Sequence, residues 1–259
     1  MATTCLNADG PGGKDAYSLV QAALGERAIE APDDFHVPPV LHLLEEICGD
    51  VGPCFVFRLH QAIDRDPVNR ERTDRQRCEI KIYDHSPAEL IGYEGTSFVY
   101  RFRFRVGSEV VLTRRFLHVF QLKAAKSPDD QHPVLSITLE KVRGQDRLQL
   151  RHSASTEDDV LAEIGWVDVA DHWIDAEVQV TYSDTGALAI VLDRSDGRRL
   201  VQVRRAGDID LWRGGGFVRP KWGFYRSLAD ARLPGAAEDS VRFANIAITR
   251  GLVPDSTCR

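Results

Sequence analysis

The 259-residue chain has no apolar run near the ~18 residues that a membrane-spanning helix needs, so no membrane is expected among its partners. It has no excess of positive charge either. Lys and Arg total 33 against 39 Asp and Glu, for a net charge of −6. That balance makes a poor general nucleic-acid binder, and any grip on an anion must come from a local basic cluster. The opening stretch, MATTCLNADGPGGKDAYSL, has no basic segment followed by an apolar one, so no secretory leader is legible. The expected location is extracellular if a leader has been removed and otherwise unknown. The five cysteines (Cys5, Cys48, Cys54, Cys78, Cys258) show no zinc-ribbon spacing and no accompanying histidine cluster, so neither structural zinc nor any other cofactor is expected. Cys48 and Cys54 flank GDVGP, and either a small disulfide or two separate thiols fits that spacing.

Hydrophobic residues make up 43% and charged residues 28%, enough for a sizeable core and against wholesale disorder. No repeat, low-complexity segment or linker divides residues 35–250. One domain over residues 1–259 is therefore expected, with residues 1–50 as a lead-in packed outside a β-sandwich of residues 51–250. The spacing of Tyr17, Leu19, Val20, Ala23 and Leu24 predicts a short amphipathic helix within 16–28, and 41–47 is read as another.

From Cys54 onward the chain reads as strands. In SFVYRFRFRV, Tyr100, Phe102, Phe104 and Val106 alternate with Arg101, Arg103 and Arg105, the period-two pattern of a half-buried strand. The segments 134–142 and 147–152 flank RGQD, a hairpin signal. About ten short strands separated by turn sequences such as SDTG and RSDG predict an all-β fold, a two-sheet antiparallel jelly-roll sandwich with short N-terminal helices.

Three segments carry candidate chemistry. In DRQRCEIKIY, Arg75, Arg77, Glu79, Lys81 and Tyr83 share one strand face. That row suits a wet, concave face binding an anion, with Glu79 holding an arginine, or equally a solvated face of incidental ion pairs. In HVFQLK, Gln121 and Lys123 share a face, and alternation puts His118 and Phe120 on the other. In VRPKWGFYRS, Arg219, Lys221, Gly223 and Tyr225 share a face, with Trp222 and Phe224 directed to the core. A glycine inside a strand marks close approach of a ligand or of another backbone.

In order and approximate spacing these segments resemble the motif strands of the jelly-roll polysaccharide lyases, the group of alginate, glucuronan and heparin I lyases. The alginate members carry R-[ST]-E-[LV]-R, Q-[IV]-H and YFKAG[VI]YNQ. Here Arg77-Cys78-Glu79-Ile80-Lys81, Gln121-Leu122-Lys123 and Lys221-Trp222-Gly223-Phe224-Tyr225-Arg226 stand in those places. The resemblance implies β-elimination on a uronate polysaccharide. It puts Arg77 and Gln121 on the substrate carboxylate and Tyr225 on proton transfer, and the strand faces read above add Arg75, Glu79, Lys81, Arg219 and Lys221 as substrate-binding residues. The main departure is Lys123 where the family has histidine. A lysine base needs a depressed pKa, and His118 and His60 are the alternative bases. Tyr225 in turn would need cations such as Arg219 or Lys221 to lower its pKa.

Two other readings compete. A glycosidase on this fold needs close paired carboxylates. No E-x-D-x-x-E pattern is present, and Asp208 and Asp210 have no glutamate beside them. A non-catalytic, lectin-like domain would use the same cleft without turnover. A Ca²⁺ site built from Asp64, Asp66 and Asp74 is a third, weaker expectation, with a simple polar turn the favoured reading.

Overall fold

The computed structural model describes residues 3–154, 158–229 and 238–251. In chain order the elements are β1 (Thr3–Leu6), α1 (Ala16–Leu24), β2 (Ile29–Glu30), β3 (Leu43–Ile47), β4 (Pro53–His60), β5 (Arg75–Lys81), β6 (Ser97–Val106), β7 (Leu117–Ala125), β8 (Leu135–Val142), β9 (Gln145–Ser153), β10 (Asp158–Gly165), β11 (Ile174–Thr181), β12 (Gly186–Arg194), β13 (Arg199–Ile209), β14 (Phe217–Ser227) and β15 (Glu238–Arg250). Two antiparallel sheets result. Sheet A runs β13-β12-β11-β6-β15-β4-β3, with β1 also on β15, and sheet B runs β10-β9-β8-β7-β14-β5-β2. The expected all-β jelly-roll sandwich is the observed fold.

The alternating strands build the core as their pattern requires. Tyr100, Phe102 and Phe104 of β6 face Phe120 of β7 and Trp222 of β14 between the sheets, all at most 2% exposed. Their rings touch, as in the 4.9 Å Phe102–Phe120 and 5.6 Å Phe120–Trp222 pairs. Each such side chain contributes about 1.5–3 kcal/mol by leaving water. The RGQD hairpin turns through Arg143 and Gly144, both at positive φ, as a primed two-residue turn demands.

The N-terminal residues depart from expectation. They do not pack outside the sandwich. Leu6, Val20, Leu24, Ala28 and Leu43 belong to its main core. β1 pairs with β15, β2 with β5, and β3 with β4. The segment read as a second helix is the strand β3. It covers the edge of β4, whose backbone donors and acceptors would otherwise stay unpaired, and the Cys48–Cys54 disulfide closes this hairpin at a Cα separation of 5.9 Å. Cys78 is a buried free thiol, and Cys258 lies outside the described residues.

Candidate functional site

Three adjacent strands of sheet B, β5, β14 and β7, bring the three motif segments together. Across β5 and β14, Tyr225 lies opposite Arg77, Gly223 opposite Glu79, and Lys221 opposite Lys81. Across β14 and β7, Lys221 lies opposite Gln121 and Arg219 opposite Lys123. Strand alternation then puts Arg75, Arg77, Glu79, Lys81, Gln121, Lys123, Arg219, Lys221 and Tyr225 on one face.

His118 joins them, contrary to simple alternation. Val119 is an extra residue against β8, because His118 pairs with Thr138 while Phe120 pairs with Ile137. Ser136 and Thr138 share a face of β8 and stand opposite Gln121 and His118, so the bulge turns His118 toward the site. Its Nδ1 bonds Thr138 Oγ1 at 2.7 Å, and its ring lies 5.9 Å from that of Tyr225. Burial, then the charges of Arg151, Lys123, Arg77 and Lys221, holds its pKa well below the usual imidazole range, so the ring is neutral.

Gly223 has a backbone reason. At φ +143°, a Cβ there would meet the Cys78 carbonyl oxygen of β5 at 2.3 Å. The close approach is to a neighbouring strand.

The floor of the site is a buried charge network. Arg77 donates to Glu30 (3.1 Å), Glu79 (3.0 Å) and Asp66 (3.1 Å). Lys221 bridges Glu30 and Glu79 at 2.6 Å each. Lys81 also pairs with Glu30, and Gln121 Nε2 donates to Glu79 at 2.6 Å. Burial alone would raise the Glu30 pKa, but Lys221, Arg77 and Lys81 outweigh it and hold the carboxyl well below its ordinary range. Glu30 carried no sequence signal, since it sits in a stretch read as lead-in. Of the three aspartates weighed as a polar turn or a weaker Ca²⁺ site, Asp66 pairs with Arg77, Asp64 turns to three histidines and Asp74 pairs with Arg75 at 3.0 Å.

Along the rim the cations are less matched. Neither Lys123 nor Arg219 ion-pairs with a described residue. Lys123 donates to the Gln131 carbonyl at 3.0 Å. Burial, reinforced by Lys221 and Arg77, lowers its pKa to about 8. Arg219 is half-buried and its Nε has no hydrogen-bond partner among the described residues. Tyr225 accepts a 2.9 Å hydrogen bond from Arg75, and the Arg77 guanidinium lies 3.8 Å above its ring centre. Burial raises the Tyr225 pKa more than Arg77 and Arg75 lower it, so the phenol keeps its proton at neutral pH. The expected lowering by Arg219 or Lys221 is not what governs it.

His60 is not brought to this face. It ends β4 in the other sheet, with Asp64, His42 and Glu238 around its ring. The outer face of sheet A holds two open depressions, of about 750 and 520 Å³. They are lined by arginines already paired with acids, as Arg101 is with Glu177 at 2.7 Å.

No family model matches the chain, and no curated protein matches it significantly in sequence. Solved structures do match in fold. A glucuronan lyase from Trichoderma reesei aligns over 80% of this chain and 85% of its own, at 14% identity and a TM-score of 0.54. An alginate lyase from Aplysia kurodai covers 97% of this chain and 100% of its own, at 11% identity and a TM-score of 0.59. An alginate lyase variant in complex with alginate trisaccharide covers 97% and 99%, at 9% identity and a TM-score of 0.63. The fold is that of the jelly-roll polysaccharide lyases.

Proposed function

We propose that this chain is a polysaccharide lyase that cleaves a uronate-containing acidic polymer by β-elimination. The observation that carries the reading is one sheet face that joins Arg219 and Lys123, which ion-pair with no described residue, to Gln121 and a protonated Tyr225, in a chain of net negative charge. The lyase fold and the neighbour bound to alginate trisaccharide support it.

In the elimination a base removes the C5 proton of a uronate, the electron pair moves to form the C4–C5 double bond, and the C4–O4 bond breaks as an acid protonates O4. The C5 proton becomes acidic enough only if the carboxylate charge is neutralised. Arg77 and Gln121 are the family-type neutralisers, and Arg219 adds a guanidinium not committed to any acid among the described residues. Lys123 is the proposed base, since its pKa of about 8, against an ordinary 10.5, makes a minor but usable free-amine fraction available near neutrality. Tyr225 is the proposed acid. His118 is the alternative base, close to Tyr225 and neutral. Arg75, Glu79, Lys81 and Lys221 hold or extend the binding surface. The Cys48–Cys54 bridge supports an oxidising, extracellular setting.

The second reading is a lectin-like binder. What favours it is the saturation of Arg77 and Lys221 by Glu30 and Glu79, which leaves less free charge for an enolate-like transition state. Incubation with a panel of polyuronates separates the two. Ultraviolet absorbance from the conjugated unsaturated uronate is expected with at least one of them. Saturable binding to a polyuronate with no such absorbance from any would replace the lyase by the binder.

A further inference from the structure

His36, His42, His60 and Asp64 converge at the mouth of the turn that joins β4 to β5, and one ligand-type atom from each lies within 4.8 Å of all the others. His36 Nε2 is 2.8 Å from one oxygen of Asp64, and His42 Nε2 is 2.9 Å from the other. His60 Nδ1 lies 3.1 Å from His42 Nε2 and 3.4 Å from Asp64. A tetrahedral ion with ligands at about 2.0–2.1 Å spaces them roughly 3.3 Å apart. These separations bracket that value.

The outer nitrogens of two of the rings already have carboxylate partners. His42 Nδ1 lies 2.9 Å from Asp33, which also accepts a 2.6 Å bond from Tyr17. His60 Nε2 lies 3.2 Å from Glu238. With the outer nitrogens donating to these carboxylates, the singly protonated rings would direct the lone pairs of His42 Nε2 and His60 Nδ1 inward at each other and at a buried carboxylate. Facing lone pairs beside an anion repel unless a metal ion or a second proton on His42 lies among them. Carboxylate-backed imidazoles of this kind are the usual outer shell of a protein metal site.

We infer that His36, His42, His60 and Asp64 form a binding site for a divalent transition-metal ion, with Zn²⁺ the best match to three imidazoles and one carboxylate. Four protein ligands make the site closed and structural. It ties residues 33–42 to the end of β4 and to the turn after it. That turn also supplies Asp66 to Arg77, and Gln76 of β5 donates to its His60, Gln61 and Asp64 carbonyls. The ion thus braces the back of the charged face without entering it, and its existence does not depend on the lyase reading.

The site was not legible in the sequence, because its ligands are spread over 29 positions with no repeated spacing and two of them fall in a stretch read as lead-in. The full chain, stripped with a chelator, should take up one equivalent of Co²⁺ with the intense visible bands of a tetrahedral site, and Zn²⁺ should displace it. Either metal should raise Tm. His36→Ala and His60→Ala, the two ligands nearest solvent, should lose the bands and the Tm shift. Asp33→Asn should still bind, roughly 10–100-fold more weakly. Failure of the wild-type chain to take up either ion, with Tm indifferent to both, would overturn the site and leave a proton on His42, whose pKa Asp33 and Asp64 lift to about 9 against the effect of burial. Unchanged Co²⁺ bands in His36→Ala would overturn it as well, by moving the metal elsewhere.

Discussion

Both sheets turn a row of arginines outward, and the two rows are built on opposite principles. On sheet A cations meet acids near the surface: Arg101 with Glu177 and Arg103 with Asp175 on the next strand, Arg242 with Glu46 two strands away. On sheet B the cations of the floor share acids, with Glu30 serving Arg77, Lys81 and Lys221 together. Surface pairs of the first kind contribute little, because water already solvates both partners. A buried network of the second kind gives up hydration that attraction only partly returns. Holding charge in place is one use of so costly an arrangement, and the contrast supports the proposal that sheet B is the working face.

The sharpest test of that contrast is at Tyr225. Tyr225→Phe keeps the ring under Arg77 and removes the proton that the phenol would give to the leaving oxygen. Turnover of a polyuronate should fall by roughly two to four orders of magnitude while oligouronate binding survives, since the arginines and Gln121 are untouched. Steady-state kinetics beside a binding isotherm would show it. A Tyr225→Phe protein that turns over at the wild-type rate would remove Tyr225 from the mechanism.

Next in size is the network's own dependence on its acids. Glu79→Ala leaves Arg77 and Lys221 with one carboxylate partner fewer in a site where Glu79 is 1% exposed. Removing one partner of a buried pair costs about 3–5 kcal/mol, and urea denaturation should register a loss of that size. Acid should act through the same groups. The Glu30 carboxyl is held below its unfolded-state pKa, so it binds its proton more weakly in the folded chain. Its contribution to stability is complete above the unfolded value and is lost as pH falls through that value toward the folded one.

Much of the fold was legible because its signals are local. The β6 alternation, the RGQD turn and the Phe120–Trp222 core follow from side-chain period alone. The face shared by Arg77, Gln121, Lys123, Arg219 and Tyr225 was legible as three separate strands, and their order along the chain suggested they were neighbours. What escaped was non-local. The bulge at Val119 that turns His118 inward depends on register with β8, which no short window contains. Glu30 matters only because β2 pairs with β5, a contact 49 residues away in the chain. The strand β3 reads as helical in isolation and is overruled by the edge it covers.

A pH profile carries the comparison into catalysis. Lys123 is protonated below about 8 in the folded chain. If it removes the C5 proton, kcat/KM should rise with pH through that value and level off above it. Lys123→Met should erase this limb. Base catalysis by His118 predicts no such rise, because its imidazole is already neutral. The same shift has a stability sign. Between about 8 and the ordinary lysine value of 10.5, the unfolded chain holds a proton that the folded chain does not, so stability from this group increases as pH rises across the window.

The smallest expected effect lies on sheet A, and it is the control that gives the others meaning. Arg103 and Asp175 form a cross-strand ion pair with side chains 28% and 40% exposed. Their β-strands are held by the β6–β11 ladder and by Phe102 and Phe104 beneath, neither of which depends on the charges. Arg103→Ala should cost no more than about 1 kcal/mol, with the loss shrinking further in high salt as screening replaces the pair. Polyuronate binding and turnover should not move. Loss of polyuronate binding on Arg103→Ala would mean that the depressions of sheet A take part in holding the polymer, and the division between a solvated face and a working face would have to be redrawn.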